Sequence, residues 1–181
     1  MSFKYQSDNN CYAYACCIAS NSFAQPGRHS RGSLNLKEPG SFTEANIIKN
    51  AMLDGLLHIG GDMPDPGKPP CPGHLVALLF SAAMFQIGGD PLANWYGDFH
   101  WVRCDDPDHY AAWSQKDGGD QVTNFDFAGR PIADPRRANW TVNYGPIGLP
   151  DSATSTDQNE FKVVYDFVCF MWVPHQGVHI I

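Results

Sequence analysis

The sequence predicts an α+β fold in which a buried N-terminal helix packs on an antiparallel β-sheet. Three observations carry this. Helical patterns fill the first third of the chain. Short β-branched and aromatic runs separated by turn residues fill the rest. Runs of helix followed by runs of strand, rather than a regular alternation, indicate α+β. The 181 residues are 43% hydrophobic, enough for one domain, residues 1–181, with a real core rather than a disordered chain.

The first element is "CYAYACCIAS" (11–20), apolar on every side and rich in alanine. That pattern suits a central helix buried all round, capped by Asn9 or Asn10. A loop marked by Pro26, Gly27 and Gly32 follows. The next helix lies in "SFTEANIIKNAMLDGLL", where Ser41 and Glu44 stand at capping-box spacing. Ile47, Ile48, Ala51, Met52 and Leu56 then recur at helical spacing. Residues 58–73 read as a proline- and glycine-rich loop.

"HLVALLF" (74–80) is a continuous apolar run bounded by turn residues and reads as a core strand. "DFHWVRC" (98–104) and "YAAWSQK" (110–116) flank "DDPDH" and together form a β-hairpin. "FDFAGRPIADP" holds a further turn built on Asp126, Gly129 and Asp134. "EFKVVYDFVCFMWVP" (160–174) reads as one long strand or two short ones.

A formal charge of −7 argues against nucleic acid or an anionic membrane surface as partner. The chain shows no apolar run of transmembrane length and no signal-peptide core in "MSFKYQSDNN". It is therefore expected to be soluble, and either cytoplasmic or exported by a non-classical route. Among the six cysteines, three fall within seven residues, which favours free thiols over a disulfide framework. Cys71 and His74 have ligand-like spacing, with Cys104 and His109 as conceivable partners, but structural zinc sites show two tight pairs. No metal or other cofactor is expected.

Cys11 sits where the first helical turn begins, and a helix N-terminus favours the thiolate. Cys16 and Cys17 sit deeper, where apolar surroundings raise a thiol pKa. A thiolate nucleophile needs a proton-transfer partner. Of the seven histidines, His100 opens a hairpin strand, and the returning strand places residues 114 to 116 opposite it. Gln115 there can accept from one ring nitrogen and hold the tautomer. The plainer alternatives are a packing cysteine and a structural histidine with a satisfied hydrogen bond.

Over residues 5 to 116 this order of motifs resembles the papain-like cysteine hydrolases, in particular the compact NlpC-type and CHAP-type peptidases and amidases. "NNCYAYA" looks like their cysteine helix start, "PGHLVALLF" like their "PGDLVFF" strand, and "FHWVR" like their histidine strand. The "DCSG" signature is absent, and Tyr12 and Ala13 after the cysteine are nearer to the "CWAFA" of papain. The resemblance implies a single papain-like domain cleaving an amide bond in a peptide or peptidoglycan peptide. Cys11 would attack, His100 would move the proton, and Gln115 would orient the ring. Gln6 or Asn10 would complete an oxyanion hole with the Cys11 backbone N–H. Some secreted bacterial effectors share that compact fold. The competing expectation is an inert binding or self-assembling structural protein. The 13% aromatic and only 17% charged residues suit extensive protein contacts, including a homo-oligomer.

Overall fold

In the computed structural model, residues 7–32, 34, 42–84, 94–146 and 160–181 are described. The first helix, α1 (Cys11–Ala15), has five residues. Asn10 caps it, its side chain accepting from the Ala13 N–H at 3.1 Å. The expected helix over 11–20 is cut short by a Schellman arrangement. The Cys17 N–H donates to the Tyr14 carbonyl and the Ile18 N–H to the Ala13 carbonyl, both at 3.0 Å. Cys17 takes the left-handed position, with φ +57°, that glycine usually fills. The second helix, α2 (Glu44–Leu53), is capped by Thr43, whose hydroxyl accepts from Asn46 N–H. Ser41, expected to close a capping box there, lies outside the described residues. Ile47, Ala51 and Leu56 face the core, whereas Met52 is exposed.

The main sheet contains β1 (Leu57–Gly60), β2 (Gly73–Ser81), β3 (Asp98–Cys104), β4 (Trp113–Lys116), β5 (Val122–Thr123) and β8 (Asp166–Pro174). Their order is β1-β8-β2-β3-β4-β5, with antiparallel pairing throughout. β6 (Thr141–Pro146) and β7 (Glu160–Val164) form a separate two-stranded sheet. The apolar run 160–174 is thus two strands on two sheets. They divide at Tyr165, whose N–H bonds to the Trp140 carbonyl at 3.0 Å. The region read as a loop over 58–73 begins within a strand, since His58 and Gly60 in β1 pair with Met171 and Phe170.

Both faces of the main sheet are covered, which is why β2 is apolar without alternation. Val76, Leu78 and Phe80 join Phe99, Trp101, Cys169 and Met171 beneath α1 and α2. Leu75, Ala77 and Leu79 join Val102, Phe170 and Trp172 on the other face, beneath Ile132, Trp140, Val163 and Tyr165. The α+β expectation with an antiparallel sheet describes this architecture.

The N-terminal elements are tied down at Asp54, which ends α2. Its Oδ2 accepts from the Tyr12 hydroxyl at 2.9 Å and the Gly27 N–H at 2.7 Å. Its backbone carbonyl accepts from His179 N–H at 2.9 Å. One residue therefore joins α1, the loop after it, α2 and the C-terminal segment.

Candidate functional site

The sequence-predicted site divides across the sheet. Side chains alternate between faces along a strand. In β3, Phe99 and Trp101 point toward α1, so His100 between them points away. Cys11 lies on the α1 face, its Sγ 3.9 Å from the Phe99 carbonyl oxygen and only 6% exposed. The imidazole of His100 sits on the opposite face among Phe127, Trp140 and Tyr165, with ring centroids 5.7, 6.0 and 6.2 Å away. The structure brings His100 and Gln115 together and leaves Cys11 apart from both.

His100 Nε2 donates to Gln115 Oε1 at 2.6 Å, and Gln115 Nε2 donates in turn to the Phe125 carbonyl at 2.5 Å. That carbonyl can only accept, which fixes the amide orientation and with it the imidazole tautomer. Burial lowers the His100 pKa, the Asp117 charge and the Gln115 bond opposing it. A neutral, caged ring with this fixed bond is the arrangement of a structural histidine.

Cys11 is not activated. Burial and then the nearby Asp98 carboxylate push its thiol pKa up. A five-residue helix offers little dipole against full desolvation. Asn10 is committed twice, to the α1 cap and, through Nδ2, to the Ala24 carbonyl at 2.7 Å. Gln6 lies outside the described residues. Burial also pushes up the thiols of Cys16, Cys104 and Cys169, the last two to about 12.

The activated thiol is Cys17, expected from the sequence to lie deep in a helix. It is exposed, because the Schellman turn swings it outward. Arg103 Nη1 lies 3.4 Å from its sulfur and His74 Nε2 3.7 Å. These neighbours lower its pKa, the His74 contact first, against a smaller opposing effect of burial. Position 17 alone carries no signal of this in the sequence, since its partners lie 57 and 86 residues away.

The metal candidates do not assemble. Among the described residues no group of three or more His, Cys, Asp and Glu side chains stands in a ligand arrangement. Cys104 Sγ donates to the carbonyls of Asp106 and Ala112 at 3.2 and 3.7 Å, while His74 faces Cys17. All six cysteines are free. No described helix is long and apolar enough to cross a membrane. Asp126 builds the turn expected of it, Oδ1 accepting from Ala128 and Arg130 N–H and Oδ2 from Asn139 N–H, each at 2.9 Å.

No protein-family profile matches the chain, and no solved structure matches it. The chain is similar to insoluble matrix shell protein 1 of Ruditapes philippinarum. The two are 36% identical over 135 residues, covering 74% of this chain and 72% of the relative. This finding overturns the resemblance to papain-like hydrolases and, with it, the expectation of a peptidase or amidase acting on peptidoglycan. The strand, turn and histidine motifs behind that resemblance are packing features of a two-faced sheet. By the extent and level of this similarity, the chain belongs to the family of insoluble matrix shell protein 1.

Proposed function

We propose that this protein is a structural, self-assembling component of an insoluble extracellular matrix, working as one domain without catalytic turnover. The similarity to a shell matrix protein carries the reading. The interior supports it, because the residues that best fitted a hydrolase are used in packing and lie on opposite faces of the sheet. The surface supports it as well. Met52 and Leu53 of α2 stand about half exposed beside Ala45 and Ile48, and Tyr144 and Val164 do so on the β6–β7 sheet. β1 is an edge strand of only four residues, a form that limits uncontrolled strand pairing while leaving apolar side chains to make contacts.

Sedimentation velocity across a hundredfold concentration range tests the proposal on reduced, full-length protein. The expected result is reversible association whose extent falls when Met52 and Leu53 are both changed to Ser. A strictly monomeric protein at every concentration overturns it, as does thiol-dependent cleavage of an amide substrate.

A further inference from the structure

We propose that Cys17 is a thiol–disulfide exchange site, whose sulfur, held between Arg103 and His74 at the mouth of two surface pockets, attacks an accessible disulfide and retains half of it as a mixed disulfide. The proposal stands on the side-chain cluster itself and does not rest on the structural reading above.

The surroundings are built for a sulfur anion. The Arg103 guanidinium is held on three sides. Nε and Nη2 donate to Asp105 Oδ1 at 3.0 and 2.8 Å, and the group lies 4.3 Å over the Tyr14 ring. Its remaining Nη1 points at Cys17. His74 Nε2 donates to the Ala15 carbonyl at 2.7 Å and shares that proton with Cys17 Sγ. Burial depresses the imidazole pKa, but the Cys17 and Ala15 contacts outweigh it and the net shift is upward. Tyr14 from α1, His74 from β2, Arg103 from β3, Asp105 just after β3 and His175 after β8 are, among the described residues, the titratable or charged groups that face the site.

Access is equally specific. Cys17 lies on the rim of a pocket of about 280 Å³ lined by His74, Val173, Pro174 and His175. It also borders one of about 470 Å³ lined by Tyr14, Arg103 and Val122. A left-handed backbone is locally unfavourable at a non-glycine residue. Here it is what turns the thiol out of the core.

The exchange balances without a further oxidant. The thiol gives its proton to solvent, and the thiolate sulfur bonds to one sulfur of the incoming disulfide. The old S–S bond breaks and the second sulfur leaves as a thiolate, which takes up a proton. The Cys17 sulfur is oxidised and the leaving sulfur reduced. Cys16, next in the chain, is 4% exposed and turned into the core, so it is not placed to resolve the adduct. Exchange therefore stops at the mixed disulfide until an external thiol arrives.

The test uses oxidised glutathione on the reduced full-length protein in oxygen-free buffer, read by intact mass and peptide mapping. One glutathione per chain is expected, at Cys17, and none in Cys17→Ser. Arg103→Gln and His74→Gln are expected to slow the reaction at pH 7 by about threefold or more and to move the pH–rate profile upward, while Arg103→Lys keeps the rate within about twofold. Adducts spread over several cysteines, or rates unchanged in both Gln variants, overturn the proposal. Should those variants not fold, the wild-type profile decides. A midpoint below that of free cysteine supports the proposal, and one at or above it refutes it.

Discussion

Replacing Asp54 by Ala removes the acceptor that joins α1, the loop after it and α2. Two donors lose their partner in the same step: the hydroxyl of Tyr12, a residue with no exposed surface, and the Gly27 N–H. An orphaned buried donor costs about 1–3 kcal/mol, so the two together bound the loss at about 2–6 kcal/mol. The variant also relieves the burial of a carboxylate whose Oδ1 has no hydrogen-bond partner. That relief moves the expected loss toward the lower half, about 2–4 kcal/mol. Tyr12→Phe should cost less, and the double variant less than the sum, because the shared bond is lost only once. A coupling of about 1.5 kcal/mol is expected for a hydrogen bond to a charged acceptor. Guanidinium unfolding of the four proteins, read by tryptophan fluorescence with m-values compared, measures it. Additivity within about 0.5 kcal/mol would refute the reasoning. A second readout is pH. Burial raises the Asp54 pKa above its ordinary 3.8, outweighing the two donors. Its contribution is then fully present below pH 3.8 and lost as pH rises through the folded value. The wild type should lose ground to Asp54→Asn as the pH climbs through that interval.

Three further outcomes are expected. The depressed pKa of His100 means that the unfolded chain takes up its proton first. Stability present above pH 6.5 should fall as pH drops below it, and His100→Gln should lack that component in denaturant titrations at stepped pH. The His74 contribution runs the other way, so variant is compared with wild type at each pH. Cys11→Ala should cost about 1 kcal/mol or more of unfolding free energy, because the thiol is in the core beneath α1. Asp126→Ala should cost about 1–2 kcal/mol, since three backbone N–H groups lose their acceptor. Backbone hydrogen bonds from Asn139, Arg130 and Ala128 hold that carboxyl below 3.8, against burial. Its contribution is present above pH 3.8 and lost as pH falls through the folded value, so thermal melts of the variant should show a weaker acid dependence.

The sequence by itself determined the elements whose signals are local. The apolar run at 74–80 became β2, and the turn at "DDPDH" produced the β3–β4 pairing, with Val102 opposite Gln115. The register differs from the expected one, which put residues 114 to 116 opposite His100: Gln115 and Ser114 stand opposite Val102 and Arg103, and Gln115 reaches His100 diagonally, close enough for the 2.6 Å bond. Asp126 and its turn were legible for the same reason, since all its partners lie within thirteen residues. Alternation along "FHWVR" also required His100 to face away from Phe99 and Trp101. What no local pattern contained was which face α1 would cover, and that choice separated Cys11 from His100. It depends on summed burial across β2, β3 and β8, drawn from distant parts of the chain. β1 was missed because four residues ending in glycine form a strand only when β8 offers an edge to pair with. Cys17 was misread for a similar reason. Its place in the sequence suggests a buried helix, whereas its chemistry comes from a Schellman turn and from His74 and Arg103, side chains that only the assembled sheet brings beside it.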